Sequence, residues 1–354
     1  MKSLRGIVDI INVPPLEKSY TSAFQGGKYN IYPITPENYI EIKDDEPVKI
    51  MFVDGGDGSI LSGASFDVSI LRFAGVEYDG IHDGMNKKIH YAVILTQRQG
   101  ESFRTEIYDT DLPEDVFRNI EKLNIDIYEK GREKNEFTEV SPAEVSSSIR
   151  EMMELKFAEY LMNTMPEGSA LVIDGTLRRW SDYINTAMQN LDSAARGKNI
   201  ILTGVAKTTR IKTKEGPSIT AAAMAMSKSV PYKVWRVKVA DIRSETHSAN
   251  IYVAKLNPIS HYAYRVEVNH TKDDENEINR VFNTMAHNVG APNRYGYPLG
   301  LQIADDRARV TEREMDMQKP VLAGYISDEM YERILLDVRS VDMHENLNRI
   351  IYGR

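Results

Sequence analysis

Two short apolar runs, each closed by Asp-Gly, constrain this chain more than any other feature. The first is Val48-Lys49-Ile50-Met51-Phe52-Val53, followed by Asp54-Gly55. The second is Ser169-Ala170-Leu171-Val172-Ile173, followed by Asp174-Gly175. Apolar runs of this length, bounded by turn residues, read as buried strands. Between them, Ser141-Pro142-Ala143-Glu144 offers an N-cap, a proline at the first helical position and the glutamate of a capping box. The helix it opens is expected to reach about Asn163. Its apolar stripe comprises Val145, Ile149, Met152, Met153, Phe157, Tyr160 and Leu161.

The flanking segments extend this pattern. Ser69–Val76 and Ile89–Thr96 read as two further strands, which with the first make a meander. Residues 112–135 are polar and partly helical. A helix is expected over 180–195, and Asn199–Val205 reads as another buried strand, leading to Lys207. Strand-strand-strand-helix-strand-helix-strand is compatible with a mixed α/β sheet layered with helices. Beyond it the pattern turns α+β. Trp235–Val239, Ile251–Lys255 and Tyr262–Val268 look like antiparallel strands. Residues 274–287 and 300–316 look helical, and Ser327 is placed to cap a last helix from Asp328. Residues 1–45 read as an N-terminal arm, broken at Val13-Pro14-Pro15, with a helix start at Thr35-Pro36-Glu37. Residues 46–320 form the main domain and 321–354 a C-terminal helical extension. No proline- or serine-rich linker separates the halves.

Composition removes several function classes. The 354 residues lack cysteine, which excludes disulfides and thiolate metal sites and fits a reducing, cytoplasmic setting. No apolar run reaches the roughly 18–20 residues of a membrane span, and the N-terminus does not read as a signal peptide. The net charge of -8 argues against a passive nucleic-acid coat. It leaves room for a cluster of metal-binding carboxylates and for a local basic groove. The seven histidines show no zinc-type spacing. Walker, Rossmann and Gly-x-Ser-x-Gly motifs are absent.

The carboxylates that could carry chemistry follow from these elements. Asp54 and Asp174 stand at strand ends, where α/β sheets gather their sites. Asp-Gly is also an ordinary turn dipeptide. Glu154 borders the helix stripe near Phe157 and Leu161, so its head can turn toward the sheet. Glu151 lies one turn earlier, and a solvated helix face is the plainer reading for either. Three converging carboxylates would need divalent cations between them, and oxygen ligands suit Mg²⁺ or Mn²⁺. Two such ions can activate water and stabilise the leaving oxygen of a phosphodiester. Lys207 is placed to orient the nucleophile or neutralise phosphate. Arg178, Arg179, Arg210, Lys212 and Lys214 could follow a DNA backbone, with Trp180 stacking on a base. A solvated loop is the simpler alternative for these.

Taken in order, these pieces resemble the NurA nuclease family. The matching stretches are Phe52-Val53-Asp54-Gly55-Gly56, the helix holding Glu154, and Leu171-Val172-Ile173-Asp174-Gly175-Thr176-Leu177. They continue with Leu202-Thr203-Gly204-Val205-Ala206-Lys207-Thr208, Tyr264-Arg265-Val266-Glu267 and Gly296-Tyr297-Pro298 with the helix after it. The resemblance spans roughly residues 48–315. It implies an α/β, ribonuclease H-like mixed sheet flanked by helices, with an α+β C-terminal elaboration. It further implies a homodimer, Mn²⁺-dependent DNA cleavage and a HerA-type hexameric ATPase partner in DNA end resection and repair. On matching motifs, Asp54, Glu154 and Asp174 are the expected metal carboxylates, Glu154 being favoured over Glu151. Lys207 and Tyr297 are expected to support them.

The chain departs from the family pattern twice. The first motif commonly reads Asp-Gly-Ser, whereas here it runs Asp54-Gly55-Gly56-Asp57-Gly58-Ser59. The family's Ala-His pair after Tyr-Pro is replaced by Ala304-Asp305, which makes Asp305 a further candidate ligand. Two other functions compete. A non-catalytic dimeric adaptor of a motor ATPase would bind its partner without cleaving DNA. An actin-like ATPase would need a glycine-rich adenosine motif, and none is seen between 200 and 300.

Overall fold

The computed structural model describes residues 17–24, 29–79, 86–120, 123–126, 128–130, 137–179, 181–269, 274–289, 295–327 and 329–338. Val13-Pro14-Pro15, Trp180 and Asp328 lie outside the described residues. The organising element is a 12-stranded mixed sheet. Its first four long strands are β1 (Lys49–Ser62), β2 (Phe66–Asp79), β3 (Asn86–Gln99) and β4 (Ser102–Thr110). Helix α1 (Pro142–Met162), β5 (Ala170–Asp174), α2 (Asp182–Gly197) and β6 (Ile201–Ala206) follow. After α3 (Ile219–Met226) come β7 (Trp235–Arg243), β8 (Ser248–Lys255) and β9 (Tyr264–Asn269). Then come α4 (Glu275–His287), α5 (Leu299–Ala308), α6 (Glu312–Ala323) and a helix over 329–338.

Across the sheet the long strands run β7-β8-β9-β6-β5-β1-β2-β3-β4. β5 is parallel to both β1 and β6, and the remaining long-strand pairs are antiparallel. A meander whose first strand is joined by two parallel strands gives the expected ribonuclease H-like order. The arm contributes Asn30–Ile31 and Tyr39–Glu41, which pair with β7 at the sheet edge. Thr35-Pro36 opens only a 3-10 turn, Pro36–Asn38. Among the described residues, no helix is long and apolar enough to cross a membrane.

Strand periodicity sorts the core into two layers. Successive side chains of a strand point to opposite faces. Met51, Val53, Leu171, Ile173 and Leu202 join one cluster, with the buried faces of α1 and α2. Ile50, Phe52, Ala170, Val172 and Val205 join the other, with α4 and α5. Both faces of the central strands are therefore apolar, which is why they read as continuous hydrophobic runs. Helix α1 begins as its sequence predicts. The Ser141 hydroxyl accepts from the Glu144 N–H, and the Glu144 carboxylate accepts from the Ser141 N–H.

Further elements differ from the sequence reading. β1 does not stop at Asp54 but continues to Ser62, because β2 pairs with it through Gly55, Gly56 and Gly58. Tertiary pairing overrides the low strand propensity of those glycines. β5 does stop: Gly175 adopts φ 90°, in the left-handed region that glycine enters freely. The helix expected over 300–316 is two helices, since Thr311 and Glu314 form a second capping box that starts α6. Strand β4 was not expected; its side chains are largely polar and its burial irregular.

Candidate metal centre

Strand register places the two Asp-Gly aspartates side by side. Val53 of β1 stands opposite Ile173 of the parallel β5, so Asp54 and Asp174 follow at the same level. Both continue the even-numbered set that faces α4 and α5. In β6, Ile201 and Val205 share that face, and Lys207 stands two residues beyond Val205. The helix on this face brings the third acid. Tyr297 lies just before α5, Ala304 and Ala308 bury into the core, and Asp305 projects beside the strand ends. A carboxylate oxygen from each of Asp54, Asp174 and Asp305 lies within 4.8 Å of the other two.

A hydrogen-bond frame holds these groups. The Tyr297 hydroxyl donates to Asp174 Oδ1 at 2.8 Å, with the Val205 carbonyl oxygen 3.2 Å away. Lys207 Nζ bridges Asp174 Oδ2 (3.0 Å) and Asp305 Oδ1 (2.9 Å). The exposed Arg309 pairs with the other Asp305 oxygen at 2.8 Å. Asp54 Oδ1 accepts the Gly55 N–H at 2.8 Å.

The acids crowd one another out of water. Burial, then repulsion by Glu154 and Asp174, pushes the Asp54 carboxyl up to about 8. Burial disfavours the Lys207 charge, but the bonds to Asp305 and Asp174 outweigh it and hold the ammonium above the usual lysine value. Asp305 is also penalised by burial, yet Lys207 and Arg309 hold it below the usual carboxylate range. Burial, followed by the charge of Asp174, raises the Tyr297 phenol well above its ordinary value, so it stays a donor.

Glu154 is not among the three converging acids. It is buried, not on a solvated helix face, and although α1 packs on the face opposite α5, its charge is the first that raises the Asp54 carboxyl. There it accepts from Arg150 Nη1 at 2.5 Å, and its Oε2 would stand 2.9 Å from a Cβ on Gly55. Asp57, on the odd-numbered face of β1, joins the same group. Arg150 Nε lies 3.3 Å from Asp57 Oδ1, and the Ser147 hydroxyl donates to Asp57 Oδ2 at 2.7 Å. Burial, partly offset by the charges of Arg150 and Arg179, lifts the Glu154 carboxyl to about 7. Glu151 pairs with Arg179 Nε at 2.8 Å.

The basic candidates divide. Arg179 is buried and held by Glu151 and the Thr176 carbonyl, so its charge is committed inside the protein. Arg178 is half-buried and hydrogen-bonds to Tyr29. Arg210, Lys212 and Lys214 are exposed on the segment that follows Lys207. Trp180 lies outside the described residues. Sequence reasoning gave Asp305 a secondary place and missed Arg150 altogether. The available signal was parity: residues 54 and 174 share a face, whereas 55 and 57 take the other.

The profile of the family described as NurA domain matches residues 48–310. Comparison with curated proteins yields no match. Among solved structures, the crystal structure of the NurA nuclease from Sulfolobus solfataricus aligns with a TM-score of 0.49 and 12% sequence identity, over 81% of this chain and 87% of that chain.

Proposed function

This chain belongs to the NurA domain family, and from that premise we propose that it is a divalent-metal-dependent deoxyribonuclease centred on Asp54, Asp174 and Asp305. The observation that carries this reading is the convergence of their three carboxylates at adjacent strand and helix ends. The donor set fits Mn²⁺ or Mg²⁺, both of which take oxygen ligands. Oxygens held about 2.1 Å from one ion stand at most about 4.2 Å apart, so side-chain shifts of less than an ångström would close the observed spread. A bound ion would supply a water nucleophile of lowered pKa and polarise the scissile phosphate.

The protein's own groups do the rest. Tyr297 fixes the orientation of Asp174 through its hydroxyl. Lys207, between Asp174 and Asp305, is positioned to pass its charge to an incoming phosphate. Arg210 and Lys212 follow Lys207 along the chain and extend a basic path for a DNA backbone, to which Arg178, four residues beyond Asp174, would add. Trp180, next to Arg179 in the sequence, is the stacking group of this proposal. The further parts of the proposal are a homodimer and action in the cytoplasm with a HerA-type hexameric ATPase during DNA end resection and repair. Exposed Met317, Val321, Met330 and Leu336 on the last two helices, with Tyr325 in the turn between them, provide apolar surface suited to a second copy.

Digestion of end-labelled DNA tests this reading. Cleavage is expected with Mn²⁺, absent with EDTA, and lost in Asp54→Ala and Asp174→Ala. Partner binding without cleavage would favour the adaptor, and ATP hydrolysis without DNA the actin-like ATPase. Cutting unchanged in both variants would place the chemistry elsewhere.

A further inference from the structure

The rim of the proposed metal centre carries two exposed tyrosines that the metal chemistry does not use. Residues 256–263 join β8 to β9, and this loop lies at the same end of the sheet as the acids. The register shows why. Ala206 of β6 pairs with Arg265 of β9, so Lys207 and Tyr264 come next at the same level. Tyr264 packs edge-to-face on Tyr297, with ring centroids 5.1 Å apart, and Tyr297 in turn donates to Asp174. Two residues before each of these rings stand Tyr262 and Tyr295, which are 52% and 59% exposed. Their own rings meet at 71° with centroids 4.9 Å apart and form a corner open to solvent.

The backbone is bent to make this corner. Tyr295 has φ 59°, a left-handed conformation that a residue with a Cβ disfavours. Two hydrogen bonds hold it there: the Tyr295 carbonyl oxygen accepts from the Ser260 and Tyr264 hydroxyls. Gly296 is left-handed as well, and a Cβ on it would stand 3.0 Å from the Cβ atoms of Asn257 and Ser260. Core packing does not account for this arrangement, since half or more of each outer ring stays in solvent. A conformation held against its own preference beside a reactive centre points to a use for the side chain it presents.

We propose that Tyr262 and Tyr295 form a stacking site for one unpaired nucleobase of the DNA strand cut at the metal centre, in addition to Trp180. This rests on the nuclease reading above. A nucleotide asks for a cation at its phosphate and an aromatic face at its base. Lys207 and the tyrosine group lie on adjoining strands at one end of the sheet and supply both. A tyrosine ring stacks on any of the four bases, so the corner carries little sequence preference. In a duplex each base is paired and covered by its neighbours, so the corner admits only a base that has left the stack. The site therefore favours a single strand or a frayed end over an intact helix.

Fluorescence anisotropy in EDTA, where cleavage is absent, tests the site. A labelled single strand is compared with an abasic strand of the same length, on the full-length wild type, Tyr262→Leu, Tyr295→Leu and Tyr262→Phe. The wild type is expected to bind the strand with bases tighter by about 10-fold or more, the size of one base–aromatic stack. Each leucine variant should lose about 10-fold of that preference with its abasic binding unchanged, and Tyr262→Phe should keep it. Stacking releases no counterions, so the loss should be equal at low and high salt. Equal affinity for both strands in the wild type, or a preference undiminished in both leucine variants, would overturn the proposal. So would leucine variants whose abasic binding falls by the same factor, which would assign the rings to the fold or to a protein contact. Cleavage in Mn²⁺ by the same preparations separates the two readings. Cutting without any base preference removes the stacking site alone, whereas a wild type that neither binds nor cuts either strand removes the nuclease reading and the site with it.

Discussion

At the scale of single residues, Lys207 is both a support and a competitor. Its ammonium occupies the space between Asp174 and Asp305 that a divalent cation would claim. Lys207→Met is therefore expected to tighten Mn²⁺ binding several-fold while lowering DNA cleavage by 10-fold or more, on the order of the 1–3 kcal/mol that a charge-assisted bond contributes. Weaker Mn²⁺ binding in this variant would show that Lys207 holds the acids together and does not compete for them. The carboxyls of Asp54 and Glu154 set a pH dependence. Both are raised in the folded chain, to about 8 and about 7, from 3.8 and 4.5. The folded state thus holds their protons more tightly than the unfolded state. Their stabilising contribution is present at low pH and is lost as pH rises through 7 to 8. An ion competes with the Asp54 proton, so its effect runs the other way. Thermal unfolding of the ion-free chain should show a midpoint that falls from about pH 5 to pH 8 and levels off above it, and added Mn²⁺ should raise the midpoint more at pH 8 than at pH 6. An equal Mn²⁺ effect at both pH values would contradict the protonation state assigned to Asp54.

At the scale of elements, the centre depends on how closely α5 approaches β1. Gly300 sits in the first turn of α5 where any Cβ would collide with the Phe52 ring. Gly300→Ala should destabilise the fold by about 1–3 kcal/mol, the usual cost of overpacking, and weaken Mn²⁺ binding by moving Asp305 outward. Denaturant unfolding and Mn²⁺ titration check the two effects; full stability with unchanged binding would mean that α5 does not set the position of Asp305. The same packing explains what could be read from the sequence. The strands carrying Asp54 and Asp174 were legible because both of their faces are covered, and the capping box of α1 because it is local chemistry. Helix α5 was legible as a helix, but its contact with β1 joins residues about 250 positions apart, which no local pattern records. Hence Asp305 entered the reading as a departure from a motif, while the structure brings it into the cluster. Glu154 is the converse. Its place beside the stripe on α1 allowed burial, but a solvated helix face was the plainer reading, and the face of the sheet that α1 covers is a property of the crossover between β4 and β5. Glycines in β1 made Asp54 look like a strand end, although pairing with β2 carries the strand through it.

At the scale of the whole molecule, an acidic chain with net charge -8 is proposed to act on a polyanion. The conflict eases because charge is distributed unevenly. Arg210, Lys212 and Lys214 lie exposed on one segment leading from Lys207, while Arg150 and Arg179 offset carboxylates inside the protein. Exposed apolar residues gather on the last two helices and the turn between them, which follow directly after α5. The central claim is that side chains at positions 54, 174 and 305, brought from two strands and a helix, share one cation. A crystal of the protein soaked in Mn²⁺ tests it by anomalous scattering. The account predicts one strong peak per chain, about 2.1–2.2 Å from an oxygen of each of the three aspartates. No peak there, or a stronger one bound by Glu154 and Asp57 with Arg150 displaced, would contradict it.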